Sequence, residues 1–263
     1  MRIPVYFYLI IFALVLQGCS MLPEPTDETK DWSASKIYSE AKGAMNEADY
    51  ENAIKYYEML ESRYPFGRYA EQGQIEIAYV YYKYDEPESA IGAADRFIKL
   101  HPNHPHVDYA YYLKGLINFN RDVGFLSRLL RQDMETRDPS AAKAAFQDFS
   151  ALVQKFPNSR YARDARQRML YLRDSLSKYE ISVARYYMKR GAYVAAANRC
   201  KYLIENYDQT TPVPEALELM ATAYDKLKLP LLAADARRVL TTSYPEYLTR
   251  PKKEKPWWDI LDN

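Results

Sequence analysis

All three histidines of the chain fall in one run, HPNHPH (101–106). Imidazoles at that density are the usual start of a zinc site. Two prolines stiffen the run, however, and the repeat pattern derived below puts it at a turn between repeats, so a solvated turn is expected rather than a metal centre. No Gly-Lys pair occurs, which removes a phosphate-cradling P-loop. No HExxH occurs either, and a Ser-His-Asp site would have to borrow a histidine from that one turn. Paired carboxylates, as in YEMLESRY, fit charged helix faces open to water. Cys200 occupies a frame position that should be buried and reads as core rather than as a nucleophile. Neither an enzyme, a cofactor nor a metal is expected.

The residue with chemistry to do is the other cysteine, Cys19, at the end of LVLQGCS. The apolar run at 5–16 would be about 18 Å long as a helix, short of the roughly 20 residues that a bilayer core needs. It has the length of the hydrophobic core of a signal peptide, with Arg2 as a minimal positive start. Leu16 three places before the cysteine and Gly18 just before it resemble the bacterial lipoprotein box, although Gln17 stands where Ala or Ser is usual. On that reading residues 1–18 are cleaved, and Cys19 carries a diacylglycerol thioether and an acylated amine, palmitate among its chains. Each buried methylene contributes about 0.8 kcal/mol, so three acyl chains anchor permanently. Ser20 rather than Asp after the cysteine resembles the outer-membrane address. An ordinary signal peptide that happens to contain a cysteine, or an uncleaved anchor, stays open at this point.

The rest of the chain must position whatever this anchor tethers. Net charge is +1 with charges dispersed, so no nucleic-acid footprint exists. With Cys19 acylated, Cys200 has no disulfide partner, and stability must come from packing. Self-similarity then decides the architecture. The frame Tyr50-x2-Ala53-x3-Tyr57-x2-Leu60-x4-Pro65 returns from Pro87, Ala142, Tyr193 and Pro230, with Asp208 replacing the closing proline in the fourth copy. Steps of three and four put these positions on one helix face, and the closing proline cannot continue the helix. Small residues upstream, Ala41, Ala78, Gly115, Ala184 and Ala221, mark the paired first helices. Ala53 and Ala90 are 37 residues apart, as are Ala196 and Ala233, whereas Ala90 and Ala145 are 55 apart. The third repeat therefore carries an insertion, around 121–138, between its two helices. With neither proline nor glycine from 159 to 190, one long helix should join repeats three and four. The reading is an all-α tetratricopeptide (TPR) superhelix of five helix-turn-helix repeats. Its parts are a linker at 19–33, repeats one to three at 34–158, repeats four and five at 159–247, and a tail at 248–263.

Tyrosine is the compositional anomaly, with 26 residues. The first helices IEIAYVYYKY, VDYAYYLKGL and ISVARYYMKR hold more of it than one buried stripe can absorb. Part is core; the remainder offers rigid, amphipathic contact area suited to peptide recognition.

Several segments go beyond a generic repeat: RYPFGRY (63–69), DRFIKLHPNHPHVDYAYYLKGL (95–116), RDPSAAKAAFQDFSALVQKFPNSRYARDA (137–165) and KYEISVARYYMKRGAYVAAANR (178–199). Together, over roughly 38–244, they resemble the BamD, or ComL, family of lipoproteins of the outer-membrane β-barrel assembly machine. The linker, the interior of the insertion and the tail depart from it. The resemblance implies a lipid-anchored, periplasm-facing protein that binds a POTRA domain of BamA through its C-terminal repeats, and BamC and other Bam lipoproteins where present. It also implies a groove in the N-terminal repeats for nascent outer-membrane proteins ending in an aromatic residue. Tyr64, Phe66, Tyr69, Tyr81, Arg96, Tyr179 and Tyr186 are the candidate groove residues, and Arg199 the candidate contact to BamA.

Two other functions remain open on the sequence: a pilotin-like TPR lipoprotein, which would lack the YPFG and RGAYVAAANR segments, and a peptidoglycan-associated protein, for whose catalytic pocket no region is left over. The tail RPKKEKPWWDILDN ends in Trp257, Trp258, Ile260 and Leu261 after a charged spacer. It is expected either to cap the open end of the fifth repeat or, through Trp257 and Trp258, to dock on a partner.

Overall fold

In the computed structural model the described residues are 29–121 and 138–249. The expected lipidation at Cys19, most of the insertion, and Trp257 and Trp258 lie outside them. Among the described residues, ten helices pair into five repeats: α1 (Ala34–Asn46) with α2 (Tyr50–Arg63), α3 (Arg68–Lys83) with α4 (Pro87–Leu100), α5 (Val107–Arg121) with α6 (Ser140–Lys155), α7 (Ala162–Lys189) with α8 (Tyr193–Asn206), and α9 (Val213–Lys226) with α10 (Pro230–Ser243). A short α11 (Pro245–Thr249) follows. Among the described residues none is a strand, and no helix is long and apolar enough to cross a membrane. The insertion falls between α5 and α6, as the spacing requires.

The frame is the core. Ala53, Ala90, Ala145, Ala196 and Ala233 are fully buried, as are Ala41, Ala78 and Ala184 on the first helices. Each repeat's two helices pack together, each second helix packs on the next first helix, and first helices of successive repeats also touch (α1 on α3, α3 on α5, α7 on α9). First helices thus lie side by side within repeats one to three and within repeats four and five.

Turns inside the repeats are built alike. Ala48, Asp85, Gly191 and Lys228 all have positive φ, between 60° and 72°, two residues before their second helix. In each, the next N–H reaches back to close the helix end: Asp49 to Ala44 O, Glu86 to Tyr81 O, Ala192 to Tyr187 O and Leu229 to Tyr224 O, at 2.9–3.0 Å. This left-handed helix stop satisfies carbonyls that would otherwise face nothing. Only Gly191 enters that conformation freely; the other three cost about 1 kcal/mol each. Repeat three replaces the turn with its insertion.

Residues just ahead of α1 pack on the first repeat: Trp32 lies 5.9 Å from the Tyr56 ring, Tyr64 donates to the Trp32 carbonyl at 2.9 Å, and Arg63 donates to Thr29 Oγ1 at 3.0 Å. An aromatic in a polar linker was the unused signal. The long helix α7 starts at Ala162, and it serves both halves. Its Ala165 and Leu172 pack with Phe149 and Leu152, and its Ile181 and Ala184 with Cys200, Leu203 and Val213. Burial pushes the Cys200 thiol up to about 12, so it stays protonated.

The histidine turn is less open than the sequence suggests. His101 and His104 lie 5.2 and 5.1 Å from the buried Phe97 ring, and His101 Nε2 is 2.7 Å from Gln74 Oε1. Burial, with His106 and His101 adding repulsion against the pull of Glu71, holds the His104 imidazole below its ordinary 6.5. A depressed folded pKa contributes stability that is present above the unfolded value and lost as pH falls through the folded one. Urea melts at pH 7.5 and 5.0 should therefore show a smaller acid loss for His104→Gln than for the unmodified chain. Equal losses would assign the acid sensitivity elsewhere.

Candidate functional site

A cavity of about 360 Å³ opens on the first-helix side of repeats one to three. Lys42 and Met45 of α1, Gln72, Ile75, Glu76 and Tyr79 of α3, His106 and Tyr109 around the start of α5, and Arg160 and Tyr161 ahead of α7 line it. Helical spacing explains the set: Lys42 and Tyr79 directly follow the small frame residues Ala41 and Ala78, so they turn toward the inner face once the alanines are buried against the paired helix.

Glu76 holds the wall together. Its carboxylate accepts from Lys42 Nζ at 2.6 Å, Tyr57 Oη at 2.7 Å, Gln72 Nε2 at 2.9 Å and Tyr38 Oη at 3.3 Å, joining α1, α2 and α3. Burial, then Glu76, pushes the Tyr38 phenol up to about 12 and raises Tyr57 further, so both stay donors. On the other side Tyr161 stacks on Tyr112 at 4.7 Å and meets Tyr109 at 5.5 Å. The Arg160 guanidinium lies 4.7 Å over the Tyr161 ring and donates to its hydroxyl. Burial raises the Tyr109 phenol well above its usual range. The result is a pocket with tyrosine, isoleucine and methionine walls, Arg160 among its lining residues and Lys42 already paired with Glu76, a setting that suits an aromatic side chain.

None of the seven residues singled out in the sequence lines this cavity. Tyr69 comes nearest: its ring is 5.3 Å from that of Tyr38, which bonds Glu76, and Arg68 stands over its other side at 4.7 Å. Tyr64 and Phe66 sit at the α2–α3 turn, where Phe66 is 89% exposed. Tyr81 and Arg96 face the second-helix side instead, bonded to Glu58 at 2.7 Å and Glu61 at 2.9 Å of α2. Tyr179 and Tyr186 lie on the fourth repeat's part of α7, with Arg190 5.7 Å above the exposed Tyr186 ring. The structure therefore groups Tyr64, Phe66 and Tyr69 near one another and leaves the other four on other faces. Tyr79 and Tyr109, on the same tyrosine-rich first helices, are the ones that line the cavity.

Arg199 is turned inward. Its Nη1 lies 2.8 Å from Glu180 Oε2, and Glu180 is buried, so the guanidinium neutralises a carboxylate that water does not reach.

A family model described as YfiO, outer membrane lipoprotein, matches residues 30–240. The chain is 52% identical over 234 residues to the outer membrane protein assembly factor BamD of Neisseria gonorrhoeae, covering 88% of each chain. It is 49% identical over 256 residues to the factor of that name from Neisseria meningitidis serogroup B, covering 95% of this chain and 96% of the relative. The Vibrio cholerae protein so named is 40% identical over 215 residues, covering 82% and 88%.

Proposed function

This chain belongs to the BamD (YfiO) family of outer membrane lipoproteins, and on that premise we propose that it is a non-enzymatic assembly factor of the Bam complex, whose N-terminal groove receives nascent outer-membrane β-barrel proteins. Acylation of Cys19 would hold it on the inner leaflet of the outer membrane, facing the periplasm. Repeats four and five would hold the POTRA domain of BamA, with BamC and other Bam lipoproteins as further neighbours. The relatives' printed role favours this over a pilotin or a peptidoglycan-bound protein. Mass spectrometry of the mature N-terminus tests the anchor: a triacylated Cys19 supports it, and an unmodified Cys19 or a retained Met1 contradicts it.

The observation that carries the groove reading is the cavity lined by Tyr79, Tyr109 and Tyr161 together with Arg160. An unfolded client strand presents a terminal aromatic and a free carboxylate, and this pocket offers a partner for each. Aromatic anchors at such sites contribute about 1–2 kcal/mol apiece. Tyr79→Ala with Tyr109→Ala should weaken binding of a peptide ending in phenylalanine by roughly tenfold or more, with helical content unchanged. Amidating the peptide's C-terminus should weaken it as well. Tyr81→Ala, on the other face, should leave affinity unchanged; a loss there with none for the pair would move the site to the outer face.

A further inference from the structure

The turns that close the repeats share a frame, and one residue breaks it. The position after the closing residue is Asn103, Asn158, Gln209 and Glu246 in repeats two to five, polar in each, but Phe66 in repeat one. Phe66 is 89% exposed, so packing among the repeats does not account for it. The turn around it is defined. Tyr64 N–H closes α2 on the Leu60 carbonyl at 2.8 Å, and Glu71 N–H opens α3 on the Gly67 carbonyl at 3.0 Å. Between them Gly67 takes φ 98° and ψ 170°, a conformation essentially reserved for glycine. Phe66 is thus held out on a short corner. Exposed Arg68 stands beside it, donating to the Tyr69 hydroxyl at 2.8 Å.

We propose that this corner, Phe66 with Arg68, is a second contact with the phospholipid surface on which the chain is anchored, the ring at headgroup depth and the guanidinium among the phosphates. The inference rests on the reading that Cys19 is the anchor. Position supports it. Arg63 donates to Thr29 Oγ1 at 3.0 Å and Tyr64 to the Trp32 carbonyl at 2.9 Å, so the chain leaves the fold toward Cys19 beside this corner. Ten chain steps separate Thr29 from Cys19, about 34 Å at full extension. The Phe66 Cα lies within about 10 Å of that of Arg63, three residues earlier. The turn that carries an exposed aromatic is therefore the one a short tether keeps at the bilayer. Chemistry agrees, because aromatic rings favour the membrane–water interface and an arginine near the surface is drawn to anionic headgroups. A client peptide is the competing occupant, but Phe66 is not among the residues lining the groove cavity. One tether leaves the body free to swivel, whereas a second contact fixes how the first-helix side is presented.

Tryptophan emission reads the contact directly. Cys200 is buried and stays protonated, which leaves Cys19 as the reactive thiol of the mature chain. Coupling it to a maleimide-bearing lipid in vesicles of phosphatidylethanolamine and phosphatidylglycerol tethers the full mature chain without cellular acylation. The outcome is thereby separate from mass spectrometry of the natural N-terminus, which tests the anchor itself. With Trp32→Phe, Trp257→Phe and Trp258→Phe in place, Phe66→Trp supplies the only indole. Its emission should shift to the blue on tethering and be quenched by phospholipids brominated near the headgroup end of their acyl chains. Glu246→Trp, at the equivalent position of repeat five, should keep solvated emission in the same background. Arg68→Gln should reduce the quenching at position 66, as should replacing phosphatidylglycerol by phosphatidylcholine. Solvated, unquenched emission at position 66 would overturn the proposal, as would equal quenching at 66 and 246, or quenching indifferent to both Arg68 and phosphatidylglycerol. A blue shift at 66 caused by a peptide ending in phenylalanine, with none caused by the vesicles, would overturn it too and assign the corner to the client.

Discussion

Arg199→Glu should melt the isolated mature chain about 6–12 °C lower, before any partner is added. Glu180 is 1% exposed on its side chain and Arg199 36%, so the guanidinium is the bridge between a buried carboxylate and water. Removing one member of a buried pair costs about 3 kcal/mol or more, because the remaining charge stays desolvated. Reversal adds repulsion between two carboxylates. Neutralising both, with Glu180→Gln and Arg199→Gln, should recover most of the loss, since the charge that burial penalises is gone. Thermal melts by circular dichroism decide it; a normal melt for Arg199→Glu would show that Glu180 finds another cation. The consequence for function is direct: weakened BamA binding by this variant says nothing about an interface unless the double neutral variant binds poorly while folding well.

A second large effect should come from one methyl group. A Cβ built on Gly115 would lie 2.4 Å from Phe149 Cε1, 2.5 Å from Cδ1 and 2.9 Å from Cζ. The ring cannot step aside, because Tyr112 and Phe119 flank it at 6.0 and 6.4 Å. Overpacking of this kind costs about 1–3 kcal/mol, against a gain of about 1 kcal/mol in helix propensity. At 2.4 Å the clash should win, and Gly115→Ala should lower the melting temperature. Gly43→Ala gives the opposite sign: nothing lies within 4 Å of its Cβ, so only the propensity gain remains. Phe149→Leu should reduce the harm of Gly115→Ala. If both alanine variants stabilise, the third repeat packs more loosely than its geometry indicates.

That pair also shows what the sequence could and could not reveal. The frame of small residues marked all five helix pairs, because burial of a small residue at a helix crossing is a local requirement that repeats with the fold. Why the third copy uses glycine was not legible, since it depends on which ring the partner helix brings across, here Phe149. The groove failed to appear for a similar reason. Counting tyrosines selects helices, but Tyr81 and Tyr79 differ only in which way the helix turns them, one toward Glu58 on the second-helix side and the other into the cavity. Arg160 and Tyr161, in the turn ahead of α7, become groove residues only when the repeats stack. Glu76 and Arg199 were hidden for a different cause: their roles lie in ion pairs and hydrogen bonds between separate helices, which spacing along one helix does not encode.

Site-specific photo-crosslinking during synthesis of an outer-membrane β-barrel protein tests the groove most directly. A photoreactive phenylalanine analogue at Tyr109 lines the cavity, whereas the same group at Tyr81 stands on the second-helix face. The account predicts crosslinks to the client at Tyr109, competed by a free peptide with a terminal phenylalanine, and none at Tyr81. Client crosslinks at Tyr81 with none at Tyr109 would contradict it and place recognition on the outer wall.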